Sequence, residues 1–325
     1  MIRRAGSQLF SLLEPFLGLL LVMGVFYLLD SSIRFGMADV RTISVQTVVT
    51  GIAAFGMTFI IISGGIDLSV GSAIALSSVV GALMIQADWP LPLAILASVV
   101  TGALCGLYNG LLITLLRLPP FIATLGTLGF FRGLAKKISG STPVNADTLG
   151  MEAWVNPFPA EDSPFHWMVL APGVWLMLLL AVLMAVILRF TVLGRHTFAI
   201  GSNEATARLC GLKVPSTKVK IYVLAGLLTG LAGILQFARL SQGDPTIAIG
   251  LELDVIAAVV IGGGSLTGGK GSILGTLAGA FMMAYLRNRC TAFGWPTYYQ
   301  EMIVGHIIIL AVAVDQWRNR RWSRS

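Results

Sequence analysis

Charged residues, cysteine and histidine are all scarce in this sequence. Asp, Glu, Lys and Arg make up 11% of the 325 residues, and there are only three cysteines and three histidines. Cys105, Cys210 and Cys290 are far apart with no CxxC spacing, which argues against a disulfide framework or a metal site. The histidines have no metal-ligand spacing, and no Ser, His and Asp set can be assigned. We therefore expect no catalytic site and no metal site in this chain.

Apolar residues dominate instead. Hydrophobic residues make up 56% of the chain and the mean hydropathy is +0.84, which is typical of a membrane protein. Uncharged runs cover 42–66, 68–87, 89–116, 168–188 and 221–238, and each is long enough to cross about 30 Å of hydrocarbon as a helix. The net charge of +7 comes from basic residues at the ends of these runs, so it indicates membrane topology rather than nucleic-acid binding.

The order of apolar runs predicts an all-α polytopic fold with about ten transmembrane helices in one domain, 1–325. The helices are expected near 9–29, 43–62, 70–87, 91–116, 120–136, 167–189, 219–240, 253–266, 272–288 and 300–316. Arg3 and Arg4 precede a first span without a clear cleavage site, so that span is expected to be retained. Basic residues concentrate on the side of both termini, which predicts cytoplasmic termini and an external loop at 137–166.

One polar stretch, 189–220, lies on the predicted cytoplasmic side. Asn203 is a good N-cap, Glu204 suits the positive end of a helix dipole, and Gly211 and Pro215 end the segment, so a short helix is predicted after Asn203. An isolated helix this short is unstable, so it should pack on something. The stretch is interpreted either as a basic loop that only sets orientation or as a docking helix for a cytoplasmic partner.

Two glycine-rich segments interrupt the apolar runs, at 63–72 and 262–272. The first contains Asp67, the only charge between residues 42 and 87, and a single helix of that length would measure about 69 Å, so the chain must turn back there. Asp67 is either a pathway residue or cap of a broken helix, or part of a cytoplasmic turn. Gly264 to Lys270 fits GxxxxGK, but Gly271 follows and the flanks are membrane helices, so we reject a nucleotide site.

Other polar residues in apolar surroundings are candidates for the pathway. Glu252 and Asp254 begin an apolar run, where acids are usually helix-dipole partners, although a pathway or gating role remains open. Asn109 lies inside an uncharged run, where interhelical hydrogen bonding and substrate contact are the two alternatives.

Four stretches carry a resemblance to the permease subunits of bacterial carbohydrate ABC importers of the ribose, xylose and galactose type. They are GMTFIIISGGIDLSVGS (56–72), NGLLITLLRLPPFIATLGTLGFFRGL (109–134), AIGSNEATARLCGLKV (199–214) and ELDVIAAVVIGGGSLTGGKGSILGT (252–276). The resemblance implies a cytoplasmic coupling helix that includes Gly201, Asn203, Glu204, Ala207, Arg208 and Gly211. It also implies signatures at Gly64, Gly65, Asp67, Leu68, Ser69 and Gly71, and at Glu252, Asp254, Gly262, Gly263, Leu266, Gly268 and Gly269.

The resemblance further implies an inner-membrane permease that works by alternating access. Its expected partners are an ABC ATPase, a periplasmic sugar-binding protein, a second permease copy or paralogue, and membrane lipid, but no nucleic acid. ATP and Mg²⁺ are expected on the ATPase and no cofactor on this chain. The scarcity of intramembrane charge suits a neutral, hydroxylated substrate, without deciding which sugar or polyol. The alternatives are an ion-coupled secondary transporter, for which Asp67 would be the ion site, and an intramembrane enzyme.

Overall fold

The chain is almost entirely helical in the computed structural model, which describes residues 18–28, 35–158 and 165–322. Its helices are α1 (Gly18–Leu28), α2 (Met37–Ile62), α3 (Val70–Gln86), α4 (Leu91–Leu115), α5 (Pro120–Ile138), α6 (Pro172–Phe190), α7 (Val192–Ser202), α8 (Glu204–Leu209), α9 (Val214–Leu240), α10 (Leu251–Ile261), α11 (Ile273–Ala292) and α12 (Thr297–Trp322). Two short strands, β1 (Val144–Asn145) and β2 (Gln242–Gly243), pair antiparallel. The predicted all-α class is confirmed. Arg3 and Arg4, the start of the first predicted helix and residues 159–164 of the external loop lie outside the described residues.

Within the described part of the chain, α2, α4, α6 and α9 are long and apolar enough to cross a membrane, and α1, α3 and the first part of α12 are shorter apolar helices. The helix α2 is the centre of the bundle: it is buried along almost its whole length, and it packs against α6, α9, α10 and α11. A helix that is apolar on every side is stable only inside such a ring of neighbours. The chain is therefore a multi-pass membrane protein.

The bundle has two ends. We call one end the α8 face: it contains α8, the turn from Leu116 to Pro119, and the end of α2 at Ile62. We call the other end the hairpin face: it contains β1, β2 and the end of α9, with residues 151–154 packed on the start of α6. Both α2 and α9 connect the two faces, and at about 1.5 Å per residue each is about 40 Å long.

Two halves of the chain repeat one packing arrangement in opposite orientations. In the first half α3 packs on α4 and α5, and in the second half α10 packs on α11 and α12. Each half also contacts the central helix of the other half, since α4 packs on α9 and α11 packs on α2. The correspondence is therefore α2 with α9, α3 with α10, α4 with α11 and α5 with α12. Because α2 ends at the α8 face and α9 at the hairpin face, the halves are inverted, as in many transporters.

Each long central helix is followed by a non-helical segment that leads to a shorter helix. Residues 63–69 connect α2 to α3, and residues 241–250 connect α9 to α10. Both 63–72 and 262–272 are glycine-rich, but in the packing the counterpart of 63–69 is 241–250. The segment 262–272 is the turn between α10 and α11, at the α8 face.

Glycine permits a very close helix contact between α4 and α9. A Cβ added at Gly106 would lie 2.0 Å from the carbonyl oxygen of Tyr222, and one at Gly102 would lie 2.3 Å from that of Gly226. Small residues at four-residue spacing let membrane helices approach until their backbones touch, and van der Waals packing then holds them together.

Some predicted helix bounds need correction. The helix predicted at 253–266 ends at Ile261, because the backbone leaves the helical conformation at the glycines that follow and Gly263 has φ of 91°. The next helix extends to Ala292 rather than 288, and the helix predicted from 219 begins at Val214, with Pro215 in its first turn. The prediction missed α7 (Val192–Ser202), whose polar composition gave no transmembrane signal.

Candidate functional site

The helix predicted after Asn203 is α8, and it begins where the sequence placed it. The Asn203 side chain accepts a hydrogen bond from the backbone N–H of Thr206 at 3.0 Å. After the helix, Gly211 has φ of 83°, a left-handed conformation that suits glycine. Ala207 is buried with Ile200 and Val214, so α8 packs on the end of α7 and the start of α9. This packing explains how a six-residue helix is held in place.

An acidic residue ties α8 to α9. Glu204 accepts a hydrogen bond from Arg208 at 2.6 Å, within α8, and another from Lys218 at 2.7 Å, on α9. Partial burial acts to raise the pKa of Glu204, but the hydrogen bonds and charges of Lys218 and Arg208 outweigh it and hold that pKa below its ordinary value. Since the folded pKa is lowered, the pair stabilises α8 at neutral pH and is lost as acidification protonates Glu204.

The end of α7 is wedged between two other parts of the chain. A Cβ added at Gly201 would lie 1.6 Å from the carbonyl oxygen of Ile62, at the end of α2, and 2.6 Å from the backbone nitrogen of Gly269. That nitrogen donates a hydrogen bond to the same Ile62 oxygen at 2.8 Å. Three backbones therefore meet at Gly201: the end of α2, the α10–α11 turn, and the segment that leads into α8.

The outer side of α8 is exposed. Leu209 is 88% exposed, the highest value among the large exposed hydrophobic residues of the described chain, and Ala205 is exposed one turn before it. Beside α8 lies a cavity of about 330 Å³, between Glu204 and Arg208 on one side and the turn at Leu118 and Pro119 on the other. Ala205 and Leu209 thus give α8 a small apolar surface beside this cavity.

A second set of predicted residues meets inside the bundle. Asp67 accepts hydrogen bonds from the backbone N–H of Ser69 at 2.8 Å, from the Ser69 hydroxyl at 2.7 Å and from the Asn109 amide at 3.3 Å. The Asn109 amide also donates to the Ser69 hydroxyl, and its oxygen accepts from Thr127 on α5. The structure thus brings Asp67, Ser69 and Asn109 together and joins three helices through them. Among the alternatives for Asn109, interhelical hydrogen bonding is what the geometry supports.

The network predicts a graded loss of stability for substitutions at Asp67. Asp67→Ala leaves the buried donors of Ser69 and Asn109 without their acceptor, at about 1–3 kcal/mol for each unsatisfied group. Asp67→Asn keeps one acceptor oxygen for Ser69 but turns an amide toward the Asn109 amide, so we expect a smaller loss. The measurement is the thermal midpoint of the purified protein, with the exposed Asp88→Asn as a control. Wild-type stability of Asp67→Ala would contradict this role.

The predicted acids at the start of α10 have different surroundings. Asp254 is buried and forms a bidentate pair with Arg287 on α11, with N···O distances of 2.7 and 2.8 Å. Glu252 accepts a hydrogen bond from the backbone of Gly250 at 3.2 Å and lies beside Gly71, where an added Cβ would meet its carboxylate. The two acids are thus neighbours in sequence, but within the described residues only Asp254 has a cation at ion-pair distance.

The predicted glycine breaks mostly serve turns and close contacts. Positive φ values occur at Gly64, Gly263, Gly268 and Gly269. At Gly65, Gly71 and Gly262 an added Cβ would come within 2.8 Å of the Tyr222 hydroxyl, the Ala248 carbonyl oxygen and the Gly275 carbonyl oxygen, respectively.

Several partner residues were not predicted as site residues. Lys218, Thr127 and Arg287 complete the contacts of Glu204, Asn109 and Asp254. Arg132, a basic residue within the helix predicted at 120–136, donates to the carbonyl oxygens of Pro245 and Ile247 in the segment 241–250. A cation within an apolar segment was the one available signal for Arg132 and Arg287.

Comparison of the sequence with known proteins identifies a matching family and several similar proteins. Residues 40–312 match the family described as branched-chain amino acid transport system / permease component. The chain is similar to the ribose import permease protein of Bacillus subtilis (strain 168), with 41% identity over 304 residues that cover 94% of this chain and 92% of the relative. It is 40% identical to the ribose import permease protein of Escherichia coli (strain K12), with 83% of each chain covered. It is 34% identical to the xylose transport system permease protein of the same strain, covering 85% of this chain and 84% of the relative. No solved structure matches.

Proposed function

The chain belongs to the family of branched-chain amino acid transport system permease components, and from this premise we propose that it carries a monosaccharide across the membrane as a subunit of an ATP-driven importer. It is a permease subunit of an ABC transporter, and a transport component rather than an enzyme. The family is named for amino acids, but the relatives that align over most of this chain are named for ribose and xylose. That full-length similarity supports a sugar as the substrate.

One observation carries the coupling role: α8 is a capped, exposed helix, and Gly201, three residues before it, contacts the ends of transmembrane segments. Through Gly201, movement of α7 and α8 is transmitted directly to the backbone at Ile62 and at Gly269. We assign α8 as the docking element for the ATPase, with Gly201, Asn203, Glu204, Ala207, Arg208 and Gly211 as the coupling residues. The α8 face is then cytoplasmic, as are both termini.

The remaining partners follow from the same assignment. A periplasmic sugar-binding protein delivers the substrate at the hairpin face, and a second permease copy or paralogue completes the transporter. ATP and Mg²⁺ are bound by the ATPase. Asp67, Ser69, Asn109, Glu252 and Asp254 belong to the pathway and its gates, with Asp67, Ser69 and Asn109 acting by joining helices. The ion-coupled alternative has no support, because Asp67 already accepts three hydrogen bonds from its neighbours.

The test is ATP hydrolysis by the permease reconstituted with its ATPase and binding protein, screened over pentoses, hexoses and sugar alcohols. We expect one sugar to stimulate hydrolysis. If no sugar stimulates an assembled complex, the carbohydrate assignment is wrong.

A variant of α8 tests the docking role in the same system. Leu209→Asp places a carboxylate on the exposed apolar surface, so we expect the ATPase to stop co-purifying while the permease remains folded. Leu149→Asp, an exposed leucine in the loop of the hairpin face, is the matched control. Normal co-purification of the ATPase with Leu209→Asp would refute docking at α8.

A further inference from the structure

A cavity of about 390 Å³ lies between α2, α9, α10, α11 and α12, within a single chain. Each helix lines it with one face: Gln46, Val49 and Thr50 on α2 are spaced by three and four residues, as are Gln236 and Arg239 on α9. On α11 the lining runs from Met283 to Thr291, a depth of about 12 Å at 1.5 Å per residue. The volume is at the small end of the range for ligand sites in proteins, about 300–1,000 Å³.

Polar side chains line this cavity without using their hydrogen-bonding groups elsewhere in the described chain. Five of them make no side-chain hydrogen bond or ion pair within the described residues, namely Gln46, Thr50, Gln236, Arg239 and Asn288. None of their atoms is among the buried, unsatisfied polar atoms of that part of the chain. Their amide, hydroxyl and guanidinium groups are therefore accessible from the cavity and available to a ligand there.

The wall of the cavity also holds the Asp254–Arg287 pair. Its two hydrogen bonds orient the carboxylate and the guanidinium rigidly, and the pair adds no net charge. A wall that presents donors and acceptors in similar number, with little net charge, suits a solute with several hydroxyl groups. Arg239 adds one positive charge, on a largely exposed side chain near the end of α9.

The cavity is closed toward the α8 face. Thr50 is the lining residue of α2 that lies nearest the α8 face, and beyond it α2 is buried without interruption to Ile62. There α2 meets α11 through a hydrogen bond of 2.7 Å between the hydroxyls of Thr58 and Thr276. A solute in the cavity could thus reach the hairpin face but not the α8 face, which is the arrangement required of an outward-facing site in alternating access.

We propose that this cavity is a binding site for a monosaccharide inside each permease subunit, on the way from the binding protein to the α8 face. The proposal rests on the proposed function and adds to it the residues that hold the sugar: Gln46, Thr50, Gln236 and Asn288 bind its hydroxyl groups. The amides and the Thr50 hydroxyl both donate and accept hydrogen bonds, as sugar hydroxyls do.

The first test is protection of an introduced cysteine. Asn288→Cys is made in a Cys210→Ser background, since Cys105 and Cys290 are buried. In the complete transporter it is treated with a membrane-impermeant thiol reagent, with and without binding protein loaded with D-ribose or D-xylose. We expect the sugar that stimulates ATP hydrolysis to slow the labelling at least about fivefold. Gln86→Cys, exposed at the hairpin end of α3 and outside the cavity, is labelled without protection.

The second test is a pair of substitutions that remove hydrogen-bonding groups. Each lost hydrogen bond weakens an interaction by a factor of about 2 to 10, so the double variant Gln236→Leu and Asn288→Leu should lower sugar-stimulated ATP hydrolysis at least about fivefold. Assembly with the ATPase should be unchanged, and Gln86→Leu, outside the cavity, is the control for ATP hydrolysis.

The outcomes separate this proposal from the proposed function. If a sugar stimulates the wild-type transporter but neither protects Asn288→Cys nor depends on Gln236 and Asn288, the cavity is not the sugar site and the permease assignment stands. If no sugar stimulates the wild-type transporter, the proposed function itself fails, and this proposal fails with it.

Discussion

Gly201→Val is expected to abolish sugar transport while leaving the transmembrane helices folded. The first carbon of any side chain at this position would lie 1.6 Å from the Ile62 carbonyl oxygen, far inside van der Waals contact, so one of the two backbones must move. The oxygen belongs to the main chain and the position of a Cβ is fixed by its own backbone, so no rotamer change relieves the overlap. Gly201 lies at the end of α7 and outside the long helices of the bundle, so the displaced parts should be α7, α8 and the α10–α11 turn.

The measurement is ATP-driven uptake of the stimulating sugar into vesicles, together with the thermal midpoint of the permease. Gly305→Val is the matched control, because Gly305 is also helical but an added Cβ meets nothing within 4 Å. We expect uptake to be lost only in Gly201→Val, with the thermal midpoint near that of the wild type. Uptake by Gly201→Val at the wild-type rate would show that this contact does not transmit movement from α8.

The position of Gly201 also indicates how movement at α8 and sugar binding in the transmembrane helices affect each other. Coupling free energy is reciprocal, so a sugar that favours one arrangement of α2 and α10 must favour the matching arrangement of α8. The carbonyl of Ile62 contacts both the α7 end and the α10–α11 turn, so a shift of α8 moves two transmembrane segments through one point. Because close-packed protein interiors have low compressibility, a displacement of one backbone at such a contact also displaces the other.

The helices were predictable from the sequence because their signals are local. Long uncharged runs gave α2, α4, α6 and α9, and the cap residue Asn203 gave the start of α8. Propensity and capping act over a few residues, so they need no knowledge of the fold. The helix α7 was missed because its polar composition gave no transmembrane signal, and the contacts of Gly201 at its end, with Ile62 and Gly269, are distant in sequence.

The contacts of the site could not be predicted in the same way. Asp254 and Arg287 are 33 residues apart, and Asp67 and Asn109 are 42 apart, so only the packing of helices brings each pair together. The sequence did identify the acids and Asn109 as residues that are costly in an apolar setting. That cost depends on the residue itself, so it can be inferred without knowing the partner. Which partner relieves that cost depends on helix rotation and register.

The inverted repeat could not be predicted from the sequence for another reason, because its two halves share packing geometry more than they share sequence. The Asp67 carboxylate accepts hydrogen bonds from the backbone N–H and from the hydroxyl of Ser69. The Asp244 carboxylate accepts the same two hydrogen bonds from Thr246, each at 2.7 Å. These Asp-x-Ser and Asp-x-Thr turns lie in the corresponding segments 63–69 and 241–250. In each half of the chain, therefore, the segment that leads to the short helix contains the same kind of turn.

Arg287→Leu is expected to destabilise the permease strongly. Arg287 is the hydrogen-bonding partner of the buried Asp254 carboxylate, and removing one member of a fully buried pair costs about 3–5 kcal/mol. Because the Arg287 side chain is 31% exposed, we expect a loss at the lower end of that range. Arg208→Leu is the control, because it breaks an ion pair on α8 whose arginine side chain is 59% exposed, and such pairs contribute about 0–1 kcal/mol. The free energies of unfolding are compared in the same detergent.

The double variant Asp254→Leu with Arg287→Leu then distinguishes stability from transport. Replacing both members of a buried pair by apolar residues is often neutral or stabilising, so we expect most of the lost free energy of unfolding to return. Transport should not return with it, because both polar groups are removed from the wall of the sugar cavity. Recovery of uptake together with stability would mean that the pair only holds α10 against α11. Recovery of stability alone would place Asp254 and Arg287 among the groups that contact the sugar.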